Sequence, residues 1–224
     1  SVGRIPNTDP PQFVGYLRDL IADRRAHPRE NDLVSDLIAA SDGADRLSGD
    51  EIVGTCVLLL MAGHEATVNV IGNGLFAMLG PRFGGAPWRA LVDDASLVES
   101  CAEEMIRYDS SLQLFERTAT RDVELAGAVI PAGQKVAALL GAANRDPAVF
   151  DRPDVFDPAR ARNPHLGFGA GIHFCLGAPL ARVEVQSALA ALRTGMPTML
   201  PVGEPRRRPE FVIRGLTELR VSRS

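Results

Sequence analysis

The residues best placed to do chemistry lie in one short stretch, Phe168-Gly169-Ala170-Gly171-Ile172-His173-Phe174-Cys175-Leu176-Gly177. Its glycines admit positive φ and let a flat partner approach the backbone closely. Cys175 stands where a helix is expected to begin, so backbone N–H groups and the helix dipole favour its thiolate. A thiolate is a strong, soft metal ligand. A buried structural cysteine in a Gly-rich turn is the plainer alternative. His165, His173 and Cys175 could in principle hold zinc, but no Cys-x-x-Cys pair supports that. Residues 167–172 lack the last glycine of a dinucleotide fingerprint, and no Gly-Lys-Ser/Thr follows to make a phosphate loop. Glu104 and Arg107, three apart, share one helix face. Ala62-Gly63-His64-Glu65-Ala66-Thr67 sets an acid and an alcohol side by side on a helix, the groups a proton relay uses. Val68 stands where a zinc protease would need its second histidine, so His64-Glu65 does not make that motif.

The Cys175 stretch resembles the heme-binding loop of the cytochrome P-450 family, Phe-x-x-Gly-x-His/Arg-x-Cys-x-Gly. Three more segments agree in order. Glu104-Met105-Ile106-Arg107 matches the family's Glu-x-x-Arg. Phe156-Asp157-Pro158-Ala159-Arg160 resembles the segment that supplies the third member of a Glu-Arg-Arg structural triad. Ala62 to Thr67 resembles the oxygen-binding groove of a long central helix. The resemblance covers almost the whole chain and lies nearest to soluble bacterial members.

The resemblance implies heme b (iron protoporphyrin IX), with Cys175 as the axial iron ligand; a thiolate there favours O–O cleavage. It implies that Phe168 shields the sulfur and that loop amides tune it. Gly169, Leu176, Gly177, Ala181, Ala62 and Gly63 are the further heme-binding residues it implies, Gly63 removing a side chain where the helix passes close to a heme face. His173 and Arg117 resemble the residues that pair with the heme propionates, groups that want cationic or N–H partners near a low-dielectric pocket; a surface arginine and a turn-capping histidine are the alternatives. Leu112 and Leu114 line the substrate pocket or pack the core. Glu65 and Thr67 are the proton-relay candidates. Most relatives carry threonine at the position of Ala66, and one step along a helix turns a side chain by about 100°, so Thr67 need not reach the same place.

These residues require elements to hold them. Phe13, Tyr16, Leu17, Leu20 and Ile21 predict a helix that stops near Pro28, and Leu33, Val34, Leu37 and Ile38 predict another capped by Asn31. Ser48 and Glu51 form a capping box for a long helix over 49–79. Residues 57–62 are apolar nearly all round, which predicts burial on most faces. Helices over 87–92, 97–108 and 176–193 follow. Val123, Leu125, Val129 and residues 136–140 flank turn residues and predict a small antiparallel hairpin. Residues 144–172 read as a long functional loop, and 211–213 and 219–221 as short strands. The fold class expected is mainly α with small β pieces, the C-terminal part of the cytochrome P-450 fold, as a single domain over 1–224.

Composition bounds the rest. Of 224 residues, 24 are Lys or Arg and 28 Asp or Glu, giving a net charge of −4, which argues against a general nucleic-acid binder. Three scattered cysteines are no disulfide framework and fit a reducing cytoplasm. The chain opens without the apolar region of a signal peptide, and residues 52–63, its most apolar run, are too short to cross a bilayer, so no membrane partner is expected. Arg206, Arg207 and Arg208 read as a solvated face, or as a dock for an acidic electron donor. By resemblance the chain is a heme-thiolate monooxygenase that inserts one oxygen atom of O2 into a small apolar substrate, with electrons from a separate ferredoxin- or flavodoxin-type donor. Complete family members extend further on the N-terminal side. The alternative is therefore an incomplete heme-binding fragment that needs an N-terminal half or has no catalytic role.

Overall fold

The computed structural model describes residues 10–40 and 47–223. Residues 1–9, the opening stretch that lacks an apolar signal-like region, lie outside the described residues. The described chain is mainly helical with four two-stranded sheets, and it divides into two compact units, residues 1–64 and 65–224.

The first unit holds α1 (Pro10–Ala26), α2 (Leu33–Ala40) and the opening turns of α3 (Gly49–Leu79). Leu17 and Ile21 of α1 pack on Ile52 and Val53 of α3, with Val34 and Ile38 of α2 against them. The cap of α2 is Asp32 and not Asn31. The Asp32 carboxylate accepts the Ser35 N–H at 3.0 Å, while Asn31 adopts a positive φ of 55° and turns the chain into the helix. The capping box forms as expected. The Ser48 N–H donates to Glu51 Oε2 at 2.7 Å, and the Glu51 N–H donates to Ser48 Oγ at 3.2 Å. The apolar turns that follow are not buried on most faces: Leu58 is 64% exposed and Met61 66%. At 31 residues α3 is long and apolar enough, by length and composition, to cross a membrane, unlike the shorter run 52–63 taken alone. Core helices pass the same test, and further along α3 carries buried Asn69 and Asn73, a polar face that suits protein rather than lipid.

In the second unit, the later turns of α3 pack with α4 (Ala86–Asp93), α5 (Val98–Tyr108) and α7 (Ala178–Gly195). Met78, Trp88, Leu91, Met105, Val185 and Leu189 form the centre of one apolar core. Trp88 satisfies its indole by donating to the Pro197 carbonyl at 3.0 Å. Gly74 lets α3 and α5 close up, since a Cβ there would fall 2.3 Å from the Met105 side chain. Between α5 and the long loop lie two nested antiparallel pairs. β1 (Leu114–Thr118) pairs with β4 (Lys135–Leu139), and β2 (Val123–Leu125) with β3 (Ala128–Ile130). β1, which the sequence pattern did not reveal, completes the outer pair, and Leu140 opens the one-turn helix α6 (Leu140–Ala143) instead of ending a strand. The tail also differs. Its strands are β5 (Met199–Pro201), β6 (Arg206–Arg207), β7 (Leu216–Glu218) and β8 (Val221–Arg223); residues 211–213 form no strand, only a single bridge of Ile213 to Leu112, beside which the Val212 carbonyl accepts the Gln113 N–H at 2.9 Å.

Candidate functional site

The loop before α7 is built around Cys175. The Cys175 N–H donates to the Phe168 carbonyl at 2.9 Å, and the Phe174 N–H to the Gly171 carbonyl at 3.0 Å. Two positive-φ residues, Gly169 at 71° and Gly171 at 68°, make the fold-back possible, a geometry other side chains resist. A one-turn helix at Gly171–His173 leads into Cys175, whose side chain is half-buried. Helix α7 starts at Ala178 with Gly177 as its cap, two residues later than expected, so Cys175 precedes the cap. A Cβ at Gly177 would lie 3.9 Å from the sulfur. Phe168 packs edge-on against Phe174 with centroids 6.2 Å apart.

The loop is tied to α5 by a buried charged network. Glu104 and Arg107 have side-chain exposures of 0% and form a two-pronged pair at 2.7 and 2.8 Å. Glu104 also accepts from Arg160 Nε at 3.0 Å, the Asp157 N–H at 2.9 Å and Asn163 Nδ2 at 3.2 Å. Arg107 has five N–H donors, and all are used. Those not spent on Glu104 go to the carbonyls of Asn144 at 2.8 Å, Pro153 at 3.0 Å and Val155 at 3.2 Å. The triad expected from Glu104, Arg107 and Arg160 is therefore assembled. Asn144, fully buried, passes the constraint onward: its Oδ1 accepts the Leu166 N–H at 2.7 Å, two residues before Phe168. Nothing in the local pattern marks Asn144 or Asn163. Cys101, in the same helix, is buried against Met78, and burial, with the nearby Glu104 charge, pushes its thiol up to about 12.

The remaining expected residues are placed as follows. Leu176 and His173 are exposed on the loop, and Ala181 is half-buried on α7. Arg117 is exposed on β1, donates to the Glu116 carbonyl at 2.9 Å and lies 5.6 Å over the Phe115 ring. Leu112 and Leu114 are half-buried. Ala62 and Gly63 lie on the first-unit part of α3 with exposed surfaces, and a Cβ on Gly63 would meet nothing within 4 Å. On the second-unit part, Glu65 and Thr67 are half-buried and Ala66 is exposed. Glu65 Oε1 accepts from Arg208 at 2.5 Å. That contact, with those of Arg207, corrects the solvated-face reading for Arg207 and Arg208, while Arg206 is exposed as expected. Arg207 donates to Asp109 Oδ2 at 2.8 Å, and Arg214 takes the other Asp109 oxygen at 2.7 Å. Asn73 on α3 closes this clamp by donating to the carbonyls of Asp109 and Arg214 at 3.1 and 3.0 Å.

A heme group needs one soft donor, apolar neighbours for its ring and cations for its carboxylates. The loop offers a lone half-buried thiol flanked by apolar side chains left in the open: Ile172 is 97% exposed and Leu176 86%, with Phe174 and Leu180 also exposed. Apolar side chains standing out around a thiol form a surface that a flat apolar ring would cover. The residues present fit the group. Among the described residues no three His, Cys, Asp or Glu side chains are grouped to hold a metal ion, so His165, His173 and Cys175 do not make a zinc site; His165 instead faces Glu103.

Comparison with known proteins agrees with this geometry. The family model described as Cytochrome P450 matches residues 89–193. The chain is 42% identical to the biotin biosynthesis cytochrome P450 of Bacillus subtilis over 94% of its own length and 52% of that protein's. It is 43% identical to the vitamin D(3) 25-hydroxylase of Pseudonocardia autotrophica, over 93% of this chain and 52% of that one. Among solved structures, P450BioI in complex with a hexadec-9Z-enoic acid-ligated acyl carrier protein superposes with a TM-score of 0.87 at 41% identity, covering 95% of this chain and 54% of that one. CYP109E1 from Bacillus megaterium in complex with testosterone gives 0.88 at 37% identity, covering 95% and 59%. The chain thus spans about half the length of the curated relatives it matches. Loop, buried network, sequence and backbone all lead to one assignment, and the chain belongs to the cytochrome P450 family.

Proposed function

We propose that the chain carries the heme-thiolate centre of a monooxygenase acting on a small apolar substrate. The observation that carries this reading is the half-buried Cys175 thiol on a hydrogen-bonded loop with an exposed apolar rim. Heme b bound through Cys175 would supply dioxygen activation and transfer of one oxygen atom, with electrons from a separate ferredoxin- or flavodoxin-type donor. Phe168 and the loop amides would flank the sulfur and tune it. Gly169, Leu176, Gly177 and Ala181 offer the ring a surface beside Cys175. His173 and Arg117, both exposed, are the cations for the propionates. Glu65 is the proton carrier and Thr67 its hydroxyl partner; Arg208 holds the Glu65 carboxylate in place at 2.5 Å. The bound molecules of similar structures, a fatty acyl chain on its carrier protein and a steroid, support an apolar substrate. A cytoplasmic location accompanies the reading.

A second reading rests on the exposed apolar side chains Leu58, Leu60 and Met61 of α3. A complementary segment would cover them and complete the site, and without it the chain binds heme but does not turn over. The test is the carbon monoxide difference spectrum of the reduced, heme-loaded chain. A red-shifted Soret band of the thiolate type, lost in Cys175→Ala, is expected. The same band surviving in Cys175→Ala would sink the assignment. Thiolate-type binding without product, restored by adding the complementary segment, selects the second reading.

A further inference from the structure

Glu103 sits one residue before the centre of the buried network but faces another way. Its carboxylate accepts from Arg182 Nε at 2.6 Å and from a terminal nitrogen of Arg182 at 3.0 Å. It also meets His165 Nε2 at 3.0 Å. The His165 side chain is 3% exposed, and its other ring nitrogen, Nδ1, accepts the Gly167 N–H at 3.2 Å. These partners assign the ring proton to Nε2, which donates it to Glu103. Both groups held by Glu103 rest on one aromatic ring. The Arg182 guanidinium lies 4.7 Å over Phe168, and the His165 ring packs against it at 5.7 Å. Phe168 is also the residue whose carbonyl receives the Cys175 N–H. A chain of direct contacts thus runs from Glu103 on α5, through two side chains and one ring, to the backbone of Cys175.

We infer that Glu103 is a positioning residue for Cys175: by holding Arg182 and His165 against Phe168, it fixes the loop geometry in which the thiol is presented. The inference rests on Cys175 as the iron ligand, as proposed above. Arginine suits the place because its planar fork can meet both carboxylate oxygens while its face stacks on the ring, which a lysine cannot do. The Arg182 guanidinium holds its proton more firmly, first through its bond to Glu103, and the Cys175 sulfur adds to the effect. Among the described residues, Glu103 is the hydrogen-bond partner that holds the guanidinium over the ring, and without it only the stacking contact is left.

The experiment compares the unsubstituted chain with Glu103→Gln and Arg182→Lys. Amide hydrogen exchange in the heme-free chain reads the loop directly. Exchange at Cys175 is expected to accelerate about tenfold or more in Glu103→Gln, while exchange at Asp157, whose N–H is bonded to Glu104, stays unchanged. In the reduced, heme-loaded chain with carbon monoxide, the same variant is expected to lose a substantial share of the thiolate-type band. If Glu103→Gln does not fold, Arg182→Lys carries the same expectation, because it retains the charge and loses the fork and the stack. Unchanged Cys175 exchange in a folded variant overturns the inference, as does equal acceleration at Asp157, which would mean general loosening. Failure of the ligand reading shows separately, as a thiolate-type band absent from the unsubstituted chain.

Discussion

Replacing Glu104 by glutamine preserves the size of the side chain and removes the charge that two arginines share. One carboxylate oxygen becomes an amide donor pointed at groups that are themselves donors: Arg107, Arg160, Asn163 and the Asp157 N–H. Neither Glu104 nor Arg107 has exposed side-chain surface, so water cannot replace the lost partner. Removing one member of such a buried pair costs about 3–5 kcal/mol. Whole-protein stability is roughly 5–15 kcal/mol, so the loss is a large share of it. At about 2–4 °C per kcal/mol for chains of this size, the midpoint should fall by roughly 6–20 °C. Thermal unfolding reads that fall, and denaturant titration should show its own midpoint moving with the slope unchanged. Glu116→Gln is the control, because its pair with Lys135 at 3.4 Å is exposed on both sides and should contribute little. The double change Glu104→Met with Arg107→Met should be less harmful than the sum of the single changes, since both charges leave together. A loss below about 1 kcal/mol for Glu104→Gln would refute the argument, because only a solvated pair behaves that way.

Other consequences can be measured independently. Burial raises the Glu103 carboxyl, but its hydrogen bonds with His165 and Arg182 and the Arg182 charge outweigh it and bring it from 4.5 to about 2. A depressed carboxyl contributes stability above its unfolded value and loses it as pH falls from about 4.5 to about 2; stability curves of the unsubstituted chain and Glu103→Gln should therefore converge through that window. Gly74→Ala should destabilise by about 1–3 kcal/mol from overpacking against Met105, reduced by up to about 1 kcal/mol of gained helix propensity; a midpoint that rises in denaturant titration would refute the close approach of α3 and α5. Glu65→Gln should lower product formation about 100-fold and leave the thiolate-type band intact, with Arg208→Met intermediate between it and the unsubstituted chain; equal product yield in all three would remove Glu65 from the relay.

The parts of this molecule that could be read from the sequence are those whose partners lie close along the chain. Ser48 and Glu51 announced the start of α3 because a capping box is a four-residue device. Phe168, the glycines and Cys175 announced the loop because its fold-back closes within a few residues. The Glu104 triad was legible only as a set of ordered segments, since Glu104 and Arg107 alone look like any helical ion pair. What escaped has no local signature. Arg208 meets Glu65 across 143 positions, and Arg207 reaches Asp109 across 98, so a run of arginines gives no hint that it is spoken for. Asn31 reads as a cap because Asn and Asp cap equally well, and only the backbone shows which of two neighbours turns and which accepts. The apolar run of α3 signalled burial by its composition, yet composition does not say what covers it.

The five donors of Arg107 carry one more implication. Connections between elements usually accept inserted or deleted residues, because lengthening a flexible loop costs little entropy. Between residues 144 and 157 that freedom is absent, although the stretch lacks regular structure. Three of its carbonyls and one of its N–H groups are each bonded to a single pair of side chains on α5. A residue added there would slide the later groups out of register with a fixed set of donors, much as a frameshift displaces every codon downstream. Length variants should therefore survive in the turns at 119–122 and 131–134 and fail at 145–156, making this irregular segment as intolerant of length change as a helix.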